Sequence, residues 1–261
     1  MANLKVITKT EFTKKSWKRN PDYFFSAKDT ICPLGAAELP RAMLSMPLAF
    51  ISTDGEYSIV AVQALQQGAN FYVNADGKWI GDYIPTPYRG HPFALAKSSL
   101  KQEELVLCID TDSGLLIDDD TEEPFFDEDL ELSEPVGKIF EFLASVGEAQ
   151  KASIRICKSL SEHGLLKPWR LEFEIENGTK QVDGLFCVDE VAFNELSNDA
   201  YAELRVAGAI PVIYCQLLSM QHMSNLTLFA QKKSGAESLP QADELSFDGT
   251  SEDGNISFDN F

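Results

Sequence analysis

Three dipeptides, Asp54-Gly55, Asp76-Gly77 and Asn177-Gly178, each stand between short runs rich in β-branched and aromatic residues. A two-residue turn with positive φ at both central positions favours Asp-Gly or Asn-Gly, and such a turn joins antiparallel neighbours. Parallel strands need long crossovers instead, so this punctuation commits the chain to hairpins. "PLAFIS" and "EYSIVAVQAL" flank the first dipeptide, and "ANFYVNADGKWIGDYI" carries the second. In "LEFEIENGTKQVDGLFCV", Leu171, Phe173 and Ile175 alternate with Glu172, Glu174 and Glu176. That period of two predicts the three apolar side chains inward and Asn177-Gly178 at the tip of a hairpin. "ELVLCID" is short and nearly all apolar, and reads as a central strand ending at Asp110.

Helical signals come later in the chain. Ser133 as N-cap, Pro135 in the first turn and apolar residues from Val136 to Leu160 predict a long helix over 135–163, stopped by Gly164. Two further stretches, roughly 190–207 and 212–230, read as helical, with Gly208 between them. "GAAELPRAML" predicts a short helical turn limited by Pro40. The expected fold class is α+β, with mostly antiparallel sheet from the N-terminal half and packed helices from the C-terminal half. No GxGxxG or GxxxxGK[ST] phosphate loop is present.

The charge is unevenly placed. The 261 residues hold 22 Lys and Arg against 41 Asp and Glu, a formal charge of -19. Asp110 to Glu134 contributes 12 acids and no base, and residues 234–261 contribute seven acids and no base. Those segments account for the whole imbalance and leave the remainder neutral. The expected organisation is an N-terminal arm over 1–22, a folded domain over 23–230 and an acidic disordered tail over 231–261. An acidic chain is a poor match for nucleic acid or anionic lipid. No apolar run is long enough to insert in a membrane. The arm mixes Lys5, Lys9, Lys14, Lys15, Lys18 and Arg19 with Phe12 and Trp17. It reads as an irregular segment that packs its rings on the body and leaves its lysines in water. The tail places Phe247, Phe258 and Phe261 between acids, a pattern suited to docking on a protein partner.

Chemical motifs are sparse. MANLKVITKTEF has no apolar core and no cleavage site, so a cytoplasmic location is expected, with export by a signal-independent route left open. Five scattered cysteines without a CxxC spacing read as reduced core thiols, not a zinc site. Asp110, Asp112, Asp118 and Asp120 suggest a cation loop, but the EF-hand spacing fails at Gly114 and Thr121. Neither a metal nor a cofactor is assigned, and the segment reads as a solvated acidic loop. "WIGDYIPTPYRGHPFAL" gathers residue types that anchor interfaces. The candidate binding set is Glu38, Arg41, Trp79, Tyr83, Tyr88, Arg89, His91 and Asp110, for a small molecule or peptide. Glu38 and Arg41, three apart, read as a surface ion pair. Asp110, at the end of a strand, reads as either a functional or a turn residue.

"CPLGAAELPRAMLSMPLAFI", "NFYVNADGKWIGDYIPTPYRGHPFAL", "LCIDTDS", "FFDED" and "VDGLFCVDEVAFNELSNDAYAELRVAGAIPVIYCQLLSM" together resemble the SapC family of bacterial proteins, from about Tyr23 to Leu226. The resemblance implies a link to bacterial surface-layer proteins. It also implies an accessory role beside nutrient-uptake receptors and flavin-dependent halogenases. It brings no reaction, cofactor or catalytic residue. Two functions follow: a non-catalytic binding or accessory protein, or an enzyme of unrecognised type using Glu38, Arg89, His91 or Asp110. Convergence of those groups in one pocket discriminates between them.

Overall fold

The structure, a computed structural model, describes residues 3–98, 104–175 and 178–233, with backbone alone for residues 172–175, 178–181, 227 and 230–233. The fold is α+β, and the strands pair antiparallel throughout the described residues. Its main sheet has five strands in the order Leu166–Pro168, Leu185–Val188, Leu48–Thr53, Glu56–Val62 and Ile31–Pro33. Two of the five come from the C-terminal half, so the sheet is not built from the N-terminal half alone.

The first Asp-Gly behaves as its chemistry requires. Asp54 and Gly55 take φ of 53° and 86°, and the flanking strands pair in register from Leu48↔Ala61 to Thr53↔Glu56. The second differs. Only Gly77 has positive φ there, and Asn74 Oδ1 accepts from the backbone N–H of Asp76 and Lys78 at 3.0 and 2.8 Å. An Asn side chain has taken over the turn. Residues 70–81 then pair only at the bridge Val73↔Trp79. The third is shifted by one residue. Leu171–Ile175 pairs with Gly178–Val182, and Gly178 lies opposite Ile175 as a strand residue. The two-residue connection is therefore 176–177, which lies outside the described residues, as do the side chains of Phe173 and Ile175. Leu171 and Val182 pack on the main core.

The long helix spans Glu134–Glu162, preceded by Ser133, and Gly164 follows in the left-handed region at φ 67°. Ser133 does not cap with its side chain; its hydroxyl donates to the Pro124 carbonyl at 2.7 Å. The helix lies against Glu56–Val62 and buries Ile156, Cys157 and Leu160. The expected helix over 190–207 is two, Glu190–Asn194 and Asn198–Val206. Ser197 Oγ accepts from the Ala200 N–H and starts the second. After Gly208 come Ala209–Ser219 and Met223–Lys233. Buried Gln216 accepts from the Val188 N–H at 3.0 Å and donates to the Leu48 carbonyl at 3.3 Å. It satisfies two backbone groups where ladder pairing between their strands has stopped.

The N-terminal segment is not an irregular arm. Leu4–Val6 adds to a three-stranded sheet beside Leu105–Asp110, the central strand, with Phe93–Lys97 on its far side. Lys9–Phe12 is a helical turn. Ser16–Trp17 lies between Leu116–Ile117 and Glu123–Pro124. The acidic stretch is accordingly no plain solvated loop. It supplies two of these strands and buries Phe125 and Phe126 in a second core with Phe12, Trp17, Phe93 and Val136. Ring centroids of Phe12 and Phe125 are 5.1 Å apart, and those of Trp17 and Phe93 4.9 Å, both edge-on. Around this core, Lys9–Glu131 at 3.0 Å, Lys15–Asp118 at 2.6 Å, Lys18–Glu122 at 3.4 Å and Arg19–Glu123 at 2.7 Å join the basic segment to the acidic one.

Candidate functional site

Glu38 ends a short 3-10 turn, Ala36–Glu38, that runs straight into the helical turn Leu39–Ala42. Its carboxylate points inward, not towards Arg41. Oε1 accepts from the Gly35 N–H at 2.8 Å. Oε2 accepts from the Tyr83 hydroxyl at 2.8 Å, the Thr86 N–H at 2.9 Å and the Thr86 hydroxyl. The expected Glu38–Arg41 surface pair is not formed, because a half-wet ion pair cannot compete with four donors presented by folded backbone and loop. Glu38 thus clamps the 35–42 turn to the loop that carries Tyr83, Thr86 and Arg89.

That loop is held from its other side by rings. Tyr72 stacks on Trp79 at 5.4 Å, and Trp79 Nε1 donates to the Tyr83 carbonyl at 2.9 Å. A Cβ on Gly81 would meet the Tyr72 ring at 2.8 Å, so a side chain there would push the stack apart. Tyr23 and Tyr88 flank Trp79 at 5.8 Å each. The Tyr88 hydroxyl donates to Gln63 Oε1 at 2.8 Å, and burial pushes its ionisation far above the ordinary range. Phe25 touches Tyr88 and stacks face to face on His91, with centroids 3.8 Å apart. Burial lowers the His91 pKa, with Asp110 and Asp22 opposing it through their charges.

The two arginines are left for the surface. Arg89 is exposed and donates Nε and Nη2 to the Ile84 carbonyl at 2.9 and 2.7 Å. Its guanidinium carbon lies 4.9 Å from the centre of the Tyr83 ring. Arg41 is exposed too, and neither has a carboxylate partner among the described residues. Both border a cleft of about 770 Å³ with Tyr23, Leu44, Tyr83 and Ile84. Asp82 also lies on its rim. A neighbouring cleft of about 440 Å³ runs from the same arginines to the long helix at Phe142 and Val146. A third, of about 370 Å³, has Arg89, His91, Trp17 and Lys138 on its walls. Arg89 therefore stands where three depressions meet.

A family model for SapC matches residues 7–226. The chain belongs to the SapC family. The match starts at Ile7, sixteen residues before Tyr23, and so takes in the strand Ser16–Trp17 and the buried Phe12 and Trp17 but not the strand Leu4–Val6. No curated protein and no solved structure matches the chain. The SapC-family region contains all of the candidate residues. Of these, Glu38, Arg41, Trp79, Tyr83, Tyr88 and Arg89 converge on one loop and its clefts. His91 sits at one edge, on Phe25. Asp110 meets the set only beside His91, its N–H donating to the Pro92 carbonyl at 2.9 Å; its Oδ1 accepts from the N–H groups of Asn3 at 2.9 Å and Asp112 at 3.1 Å, which makes it a turn cap.

The sequence reading missed Tyr23, Thr86, Leu44 and Ile84. Thr86 lies between two prolines in a segment already marked for its aromatics, and only the approach of Glu38 gives its hydroxyl a role. No group of three or more His, Cys, Asp or Glu side chains converges among the described residues. Asp118 is turned to Lys15 instead. All five cysteines are buried free thiols, and burial pushes Cys32 and Cys157 up to about 12. No helix among the described residues is long and apolar enough to cross a membrane.

Proposed function

We propose that this SapC-family protein is a non-catalytic binding or accessory protein that holds an anionic ligand with an apolar part in the Arg41–Arg89 cleft. A small organic acid or an acidic peptide has that chemistry. One observation carries the reading. Two exposed guanidinium groups without carboxylate partners among the described residues share a cleft whose other walls include Leu44, Ile84 and the Tyr23 and Tyr83 rings, with Asp82 on its rim. Guanidinium groups present fixed forks of N–H donors that match carboxylates; Arg89, with Nε and Nη2 already on the Ile84 carbonyl, brings its remaining N–H groups. The enzyme alternative needed Glu38, Arg89, His91 or Asp110 as acid, base or electrostatic group. Glu38 has its oxygens occupied by four donors and Asp110 is a turn cap, which favours binding over proton transfer. The family label supports the same accessory reading, in service of a surface-layer or nutrient-uptake system.

The test is calorimetric titration with 4-phenylbutyrate, which carries one carboxylate and one ring. Losing a charge-assisted hydrogen bond costs roughly 1.5–3 kcal/mol, so Arg41→Ala or Arg89→Ala should weaken binding by about 10- to 100-fold. The melting temperature should stay within a few degrees, since both side chains are exposed. Equal affinity in both variants and the unaltered chain would refute the reading.

A further inference from the structure

Resting on that cleft, we propose that its resident occupant is this chain's own acidic tail, seated through the Ser-Phe-Asp sequence at 246–248, so that the tail competes with any external ligand. The segment 234–261 lies outside the described residues, but its point of attachment and its sequence are known. The last described helix, Met223–Lys233, packs Phe229 edge-on against Tyr72 with centroids 5.8 Å apart. Tyr72 in turn donates its hydroxyl to the Ser45 carbonyl at 3.1 Å and stacks on Trp79, and Ser45 lines the Arg41–Arg89 cleft. The last described helix thus ends one helical turn beyond Phe229, whose ring packs on a tyrosine that is hydrogen-bonded to the cleft-lining Ser45.

Reach and charge both fit. Phe247 lies fourteen positions after Lys233. An extended chain covers about 3.3–3.6 Å per residue, or roughly 46–50 Å. A folded body of this size has a radius of gyration of about 17 Å. Residues 234–261 hold seven acids and no base, opposite two arginines that lack carboxylate partners among the described residues. The tail also repeats one pattern, Leu245-Ser246-Phe247-Asp248 and Ile256-Ser257-Phe258-Asp259. Each repeat sets an aliphatic and an aromatic side chain beside a carboxylate, the pairing that a cleft of Leu44, Ile84 and Tyr23 with two guanidinium groups accepts. A tether of this length supplies an effective concentration on the order of 1 mM. A segment whose separate peptide binds with Kd of about 100 μM would then occupy the cleft about nine-tenths of the time and weaken an added ligand about tenfold.

The experiment uses the full chain and a fluorescein-labelled peptide of residues 241–250, followed by anisotropy at low salt. Phe247→Ala, Asp248→Asn, Phe258→Ala and Asp259→Asn together disable both repeats. The fourfold variant should bind the peptide about tenfold tighter than the unaltered chain, and adding Arg41→Glu or Arg89→Glu should remove that binding. High salt should erase the gain. A fourfold variant that binds the peptide no tighter overturns the proposal, as does peptide binding that survives both arginine reversals. The two readings separate cleanly. If 4-phenylbutyrate still loses affinity with Arg41→Ala while the fourfold variant matches the unaltered chain for both probes, the cleft stands and tail occupancy falls.

Discussion

Replacing Glu38 by Ala removes one buried carboxylate and strands four donors: the N–H groups of Gly35 and Thr86 and the hydroxyls of Tyr83 and Thr86. A hydrogen bond to a charged group contributes roughly 1.5–3 kcal/mol net, and a buried donor left unpaired costs about 1–3 kcal/mol. These do not add, because all four share one acceptor and the hydroxyls can rotate towards water or other acceptors. The two N–H groups cannot, and they set the floor. A loss of about 3–5 kcal/mol follows, which for a chain of this size lowers Tm by about 6–20 °C. Urea unfolding followed by tryptophan emission measures it, with Tyr83→Phe as control. Tyr83→Phe removes one donor and leaves none stranded, so it should cost no more than the roughly 1.5–3 kcal/mol of that one bond. If Glu38→Ala is destabilised by less than about 1 kcal/mol, Glu38 does not clamp the loop.

Three further outcomes test other parts of the structure. His91 has a pKa lowered by burial below its ordinary 6.5, so the folded protein binds fewer protons than the unfolded chain. Its contribution is fully present above pH 6.5 and is lost as pH falls through the lowered value; the urea midpoint should therefore drop between pH 7 and 5 more steeply in the unaltered chain than in His91→Gln. In the second core, Phe12→Ala should cost about 3–5 kcal/mol, because its ring is 1% exposed against Phe125. Salt at 0.5 M should weaken the ion pairs between the two charged segments but leave near-UV dichroism unchanged; loss of the aromatic signal in salt would mean that charge, not the buried rings, holds the N-terminal strands.

What the sequence determined by itself was local. Asp54-Gly55 set a hairpin because both residues tolerate positive φ, and the helix over Glu134–Glu162 followed from its apolar period and its stop at Gly164. The aromatic and arginine-bearing loop 79–91 could be singled out by residue type. Tertiary structure decided which distant groups meet. Lysines near the start face acids about 100 residues later, turning two apparently free charged segments into partners around Phe12 and Trp17. Glu38, three residues from Arg41, chose Tyr83 and Thr86 instead, and so left Arg41 for the cleft. The physical reason is range. Turn chemistry and helical periodicity act within a few residues and are written in composition. A buried carboxylate takes whichever donors the packed fold brings to it, and no spacing along the chain records which those will be.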